Sequence, residues 1–378
     1  MNVAANAVCA KTAKMRRAVV ALGLGVLFAL PLSAPSGATA HPAPQLGSVS
    51  RTSLAETSKY AIGSSIAAKK LSRLEMISAT VGVGVAPITT YSGRLIRALF
   101  VRTSDAAANW TVSNAFPRGV GYPWFTAFET PSEGYAVGSG GTVFTDNGGA
   151  TWESVTVTGA PDGLAIAGNI VWIDAQKGRR CATSQCVSVL NAYRMGSLMP
   201  SSVTKLPNEG ATLTEVGPGV GFAIGSGNFS GDIFFTTDSG AAWRSVANPC
   251  QSAGISGSAV SSSTAIFIFC VPGNPASSIK DELYGTTDAG VSWSLLSASP
   301  GSGLTSAASG NGQFLWTFTG DGRLEVGADR GRHWVYRRSV LEGPGGYFAT
   351  FGSADAWWPD IGHGVYRTLD GVHWQLIP

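Results

Sequence analysis

From residue 76 to the end of the chain, apolar and polar positions alternate in short runs that never settle into a helical period. "GYAVGSG" (134–140), "TVFTD" (142–146) and "TWESVTV" (151–157) are typical. They are rich in β-branched and aromatic residues and are closed by glycine or by Ser, Thr, Asn and Asp, which predicts strands joined by tight turns. The strands fall into groups of four. "WFTAFETP" (124–131) precedes the three runs above; "LTSAASG", "QFLWTFTG", "RLEVGAD", "HWVYRR" and then "GYFATFG", "DAWWPDIG", "GVYRTLD", "HWQLIP" repeat the grammar.

One phrase keeps the phase of these groups. "TSDAAANW" (103–110), "TDNGGATW" (145–152), "TTDSGAAW" (236–243), "TTDAGVSW" (286–293), "GADRGRHW" (327–334) and "RTLDGVHW" (367–374) each end on a tryptophan: Trp110, Trp152, Trp243, Trp293, Trp334 and Trp374. The spacing is roughly forty to fifty residues, doubled between Trp152 and Trp243, so a degenerate copy is expected there, at "VSVLNAYRMGSLMP" (187–200). That makes seven units.

The pattern S/T-x-D-x-G-x-x-W resembles the Asp-box, or BNR, repeat of sialidases, sortilin-type receptors, xyloglucan-degrading enzymes and photosystem II assembly factors. Two copies match fully, at Asp238 and Asp288. Asp105 is followed by Ala107 in place of Gly, Asn147 stands for Asp, Gly327 stands for Ser/Thr ahead of Asp329, and the last copy is one residue short after Asp370. The letters have a local reason. Asp accepts hydrogen bonds from the amides of its own turn, Gly takes a positive φ, and Trp opens the next strand and packs on a neighbouring unit. The expected role of these residues is structural. The expected fold is all-β: a seven-bladed β-propeller of four-stranded antiparallel blades, with the Asp-box turn between third and fourth strands.

The expected domain division is 1–40, 41–75 and 76–378. Lys11, Lys14, Arg16 and Arg17 precede an uncharged run from Ala18 to Ala34, and "SGATA" ends at Ala40. This is the form of a signal peptide cleaved after Ala40, which implies a secreted or cell-surface protein with no stable membrane span after cleavage. Residues 41–75 read as a flexible lead-in, with "SSIAAKKLSRLEM" (64–76) as a short capping helix and the first strand starting near Ile77. No strand is then exchanged between first and last blades, and the ring closes by side-chain packing unless the lead-in supplies an edge strand. Four cysteines follow the leader: Cys181, Cys186, Cys250 and Cys270. An even number in an exported chain points to disulfides, and proximity favours Cys181–Cys186 and Cys250–Cys270 among three pairings.

Charged residues are only 13% of the chain, the net charge is +3, and the body holds no run of Lys or Arg. Nucleic acid is therefore not expected as a partner. No cofactor or metal is expected: His41, His333, His363 and His373 are the only histidines, and none neighbours a cysteine. A monomer is expected. The face opposite the Asp-box turns is the usual binding surface in the family, and its loops carry Arg118, Tyr122, Trp124, Lys280, Asp281, Asp321, Trp358, Asp360 and His363. The reading is a non-catalytic propeller that binds a protein or glycan there. The alternative is a glycoside hydrolase. A sialidase-like site would draw on arginines such as Arg94, Arg97 and Arg102. A xyloglucanase-like site would pair carboxylates among Asp281, Asp321 and Asp360. Trp357 and Trp358 are adjacent, so in a strand they point to opposite faces.

Overall fold

The computed structural model describes residues 60–90, 93–177, 187–206, 211–217, 219–225, 232–250, 254–262, 264–271, 282–298, 303–309, 311–319, 323–339, 348–360 and 362–377. They form seven small antiparallel sheets in a ring, a seven-bladed β-propeller.

Blade 1 contains β1 (Ser65–Ile66), β2 (Arg73–Met76), β3 (Gly82–Thr89), β4 (Leu95–Thr103) and β5 (Trp110–Ala115). Blade 2 contains β6 (Pro123–Phe128), β7 (Gly134–Gly138), β8 (Gly141–Thr145) and β9 (Glu153–Val155). Blade 3 contains β10 (Ala160–Ala167), β11 (Ile170–Lys177), β12 (Val187–Arg194) and β13 (Ser202–Lys205). Blade 4 contains β14 (Ala211–Gly217), β15 (Val220–Gly225), β16 (Ile233–Thr236) and β17 (Arg244–Val246). Blade 5 contains β18 (Gly254–Val260), β19 (Ile266–Val271), β20 (Glu282–Thr286) and β21 (Ser294–Ala298). Blade 6 contains β22 (Gly303–Ala308), β23 (Leu315–Thr319), β24 (Arg323–Ala328) and β25 (His333–Ser339). Blade 7 contains β26 (Ala349–Phe351), β27 (Asp355–Asp360), β28 (Gly364–Thr368) and β29 (Gln375–Ile377). Within each blade the strands lie in chain order, and only blade 1 departs, with β1 added outside β5.

The burial pattern follows from the architecture. A middle strand has a neighbouring blade on each face, so it reads as an unbroken apolar run: Ile266, Phe267, Ile268, Phe269 and Cys270 of β19 are all buried. Outer strands face water and are largely exposed, as in β9, β17 and β29. First strands of successive blades pack side by side around the centre, β10 against β14 and β18 against β22, and β2 against β26 closes the circle.

The seam between blades 7 and 1 departs from the capping helix that residues 64–76 suggested and from a first strand near Ile77. This segment contains β1, a single 3-10 turn (Ala68–Lys70) and the inner strand β2; Ile77 to Val81 form the turn into β3. Ile66 pairs with Trp110 on the outer edge of blade 1. Leu74 and Met76 pair along β3 at the inner edge. Between them the chain crosses the seam, where Lys69 O accepts from Gly362 N of blade 7 at 2.9 Å. Ile66, Ala68, Leu71, Leu74 and Met76 are buried in one cluster with Ala349, Trp357 and Val365 of blade 7. A helix would leave β5 without an outer partner and blade 1 without an inner strand. No strand is exchanged, so packing and this crossing segment close the ring.

Cys250 and Cys270 form a disulfide, tying the link between blades 4 and 5 to the end of β19. Cys181 and Cys186 lie outside the described residues. Among the described residues no helix is long and apolar enough to cross a membrane.

Candidate functional site

The repeated turns all project from one face, so their geometry defines the other. In the five copies that keep a threonine the Thr hydroxyl donates to the following Asp or Asn: Thr103 to Asp105 at 2.8 Å, Thr145 to Asn147 at 3.1 Å, Thr236 to Asp238 at 2.8 Å, Thr286 to Asp288 at 2.6 Å and Thr368 to Asp370 at 3.2 Å. The same oxygen accepts the N–H four residues on, at 2.9 Å from Asn109, Thr151, Ala242 and Ser292. In the shortened last copy, Val372 and His373 N–H take that place at 2.9 and 2.7 Å. Where Gly327 removes the hydroxyl, Asp329 pairs with His333 Nδ1 at 2.9 Å instead.

Each terminal tryptophan packs on the preceding blade. Trp152 meets Phe100 at 5.4 Å, Trp243 meets Trp172 at 5.6 Å, Trp334 meets Phe269 at 6.1 Å and Trp374 meets Trp316 at 6.3 Å. Trp293 sits in the cluster of Phe222 and Phe235, and Trp110 in the cluster that closes the ring. Blade 3 lacks the motif, and there Met195 and Leu198 reach Tyr135 and Phe144 of blade 2. The asparagine and aspartates of these turns are thus committed to partners within their own turn. Among the described residues no group of three or more His, Cys, Asp and Glu side chains is placed to hold a metal.

The opposite face carries the turns between second and third strands and the links between blades. Arg118 is exposed on a 3-10 turn (Arg118–Val120) in the link from blade 1 to blade 2. Tyr122 ends that link, and its hydroxyl donates to Ser72 Oγ at 2.7 Å across the blade 1–2 seam. Trp124 is half-buried at the start of β6. His363 is exposed in the turn after β27, with Nδ1 3.2 Å from Asp360 Oδ2. Lys69 and Lys70 are exposed beside that turn, which meets Lys69 through Gly362. Arg94 is exposed where β4 begins, between these positions. Strand order thus puts Lys69, Lys70, Arg94, Arg118 and His363 at the same ends of blades 7, 1 and 2. Among the described residues the acid on that stretch is Asp360, which is buried.

Two candidates are withdrawn from the surface. Trp358 is fully buried between blades 6 and 7, stacked on Phe318 at 5.0 Å and Tyr366 at 5.8 Å. Asp360 is also buried. Trp357 points the other way, into the closing seam, with the Arg367 guanidinium 5.4 Å from its ring. Both tryptophans are interior because β27 has a blade on each side. Lys280, Asp281 and Asp321 lie outside the described residues.

Two polar groups escaped the sequence reading. Asp162, in the inner strand β10 of blade 3, is pushed up by burial, partly offset by Gln176 Nε2 donating to it at 2.7 Å. Beside them, Ser188 donates its hydroxyl to the fully buried Asp174. The available signal was "APDG" opening an otherwise apolar inner strand, with Gln176 opposite Ala160 in the register.

No family model matches the chain, and no curated protein matches it. Solved structures do. An ancestral GH74 enzyme is 10% identical with a TM-score of 0.55 over 84% of this chain and 47% of that one. Kuenenia stuttgartiensis hydrazine synthase is 12% identical with a TM-score of 0.54 over 80% of this chain and 96% of that one. A YCF48 structure bound to a D1 peptide is 18% identical with a TM-score of 0.45, covering 67% of this chain and 79% of that one. The chain spans about half the length of the ancestral GH74 enzyme. What it shares with the first two is the β-propeller fold.

Proposed function

We propose that this chain is an exported Asp-box propeller, cleaved after Ala40, that binds an acidic protein segment on the face opposite the repeated turns without catalysing a reaction. The observation that carries this reading is the exposed arc of Lys69, Lys70, Arg94 and Arg118 beside His363, on a stretch whose described acid is buried. Cations on adjacent loops focus attraction for a negatively charged partner and raise its association rate. The Cys250–Cys270 bridge fits an oxidising compartment.

The test is titration of the purified chain with acidic peptides and with charge-neutral versions of the same sequences. Binding confined to the acidic set and weakened by salt supports the reading. K70E/R118E is expected to lower affinity about tenfold or more while leaving the fold intact. Equal binding of neutral peptides overturns it.

A second reading rests on Asp162, a carboxyl whose burial favours the protonated form that a general acid needs. Release of reducing sugar from xyloglucan or of sialic acid from a sialoside, abolished in D162N, would favour the hydrolase over the binding module.

A further inference from the structure

In the second repeated turn, Asn147 occupies the position that holds Asp105, Asp238, Asp288, Asp329 and Asp370 elsewhere, and it is followed by Gly148. Asparagine before glycine loses its amide most readily, because glycine has no side chain to hinder attack by its own backbone nitrogen. Asn147 is exposed. Its Oδ1 accepts from Thr151 N–H at 2.9 Å and from the Thr145 hydroxyl at 3.1 Å, two bonds that withdraw electron density from the carboxamide carbon. Its Nδ2, the departing nitrogen, donates to Thr151 Oγ1 at 2.6 Å.

The turn is already shaped for the product. In blade 5, Asp288 fills the same position, and Ser292, the counterpart of Thr151, donates its hydroxyl to Asp288 Oδ2 at 2.6 Å and its N–H to Oδ1 at 2.9 Å. Rotating the Thr151 hydroxyl proton gives the second turn the same arrangement. The Arg102 guanidinium lies against the neighbouring Gly148, where an added side-chain carbon would collide with its Nη1.

We propose that Asn147 is a site of spontaneous deamidation and that the folded turn directs the product to aspartate. Gly148 N attacks Asn147 Cγ, the Cγ–Nδ2 bond breaks, and ammonia leaves, giving a cyclic imide. Water then adds at Cγ, the bond from Cγ to Gly148 N breaks, and the main chain is restored with a carboxylate at 147. One water is consumed, ammonium is released, and nothing is oxidised or reduced. Addition of water at the backbone carbonyl would instead give isoaspartate, which lengthens the main chain. Gly148 N–H donates to Ser132 O at 2.8 Å, and the Ser113 hydroxyl donates to Gly148 O at 3.2 Å. Cyclisation requires the first bond to open, so the folded chain reacts more slowly than a free peptide. A lengthened main chain cannot keep both bonds together with the one from Thr151.

The experiment incubates the purified chain and a synthetic peptide of residues 141–155 at mildly alkaline pH. Residue 147 is then read by mass spectrometry with fragmentation that separates aspartate from isoaspartate. The expected result is gradual conversion at 147 in the folded chain, with a higher share of aspartate than in the peptide. N147D is expected to melt no lower than the parent chain at neutral pH. No detectable conversion at 147 in the folded chain after many half-lives of the peptide, a product ratio equal to the peptide's, or a lower melting temperature for N147D overturns the proposal.

Discussion

Gly240 meets two demands at once. Its φ is +85°, and a side-chain carbon there would stand 2.7 Å from Nε1 of Trp172, which donates to Ser239 O at 3.0 Å across the seam of blades 3 and 4. Gly240→Ala is therefore expected to cost about 1–3 kcal/mol, read as a lower urea midpoint, and equal midpoints would refute the close approach. In the first turn Ala107 takes φ +70° with its methyl buried in the cluster that closes the ring. The turn carboxylates carry a pH prediction. N–H donation from Ala242 holds Asp238 below its usual value, the Ser292 hydroxyl and N–H hold Asp288 at about 2, and donation from His373 holds Asp370 low. These groups are more acidic folded than unfolded. The stability they confer is complete above the unfolded value, near pH 4, and is lost as pH falls toward the folded values. Melting followed by circular dichroism should drop between about pH 4 and pH 2. D288N should flatten part of that drop and lower the melting temperature at pH 7.

At the scale of elements, the segment from Ser65 to Met76 matters most, because it is the outer edge of blade 1, the bridge to blade 7 and the inner strand in turn. Leu71 is fully buried at the crossing. Leu71→Ala is expected to cost about 2–4 kcal/mol in chemical unfolding. Ile62→Ala, at a position 73% exposed just before β1, should stay within about 0.5 kcal/mol. Similar losses at both positions would count against a packed seam. The outer strands of blades 2, 4 and 7 are three residues long, short enough to offer little edge for pairing with other chains. The repeated turns were legible in the sequence because each is a local hydrogen-bonded unit. The crossing segment was not, since "SSIAAKKLSRLEM" spaces its apolar residues in a way that suits a helix turn as well as two short strands.

For the whole molecule, the ring decides what is surface. Adjacency puts Trp357 and Trp358 on opposite faces of their strand, and only the placement of β27, with blade 6 against one face and the closing seam against the other, shows that both are filling. Asp360 reads as an exposed loop acid until β27 is seen to take it in as its last, buried residue. Tyr122 meets Ser72 from fifty positions away, and Lys69 meets Gly362 from the far end of the chain. These contacts assemble the cationic arc, so charge reversal at Lys70 and Arg118 probes a property of the ring and not of either loop.

The amino-acid sequence by itself determined the strand grammar, the number of blades and the geometry of the turns, because those depend on residues within one repeat and on hydrogen bonds spanning four positions or fewer. The tertiary structure alone decided how the circle closes, which aromatic residues are interior and which cations share a face. Those outcomes depend on contacts between blades, and the partners lie a full period or the whole chain apart, where local pattern carries no information about distance.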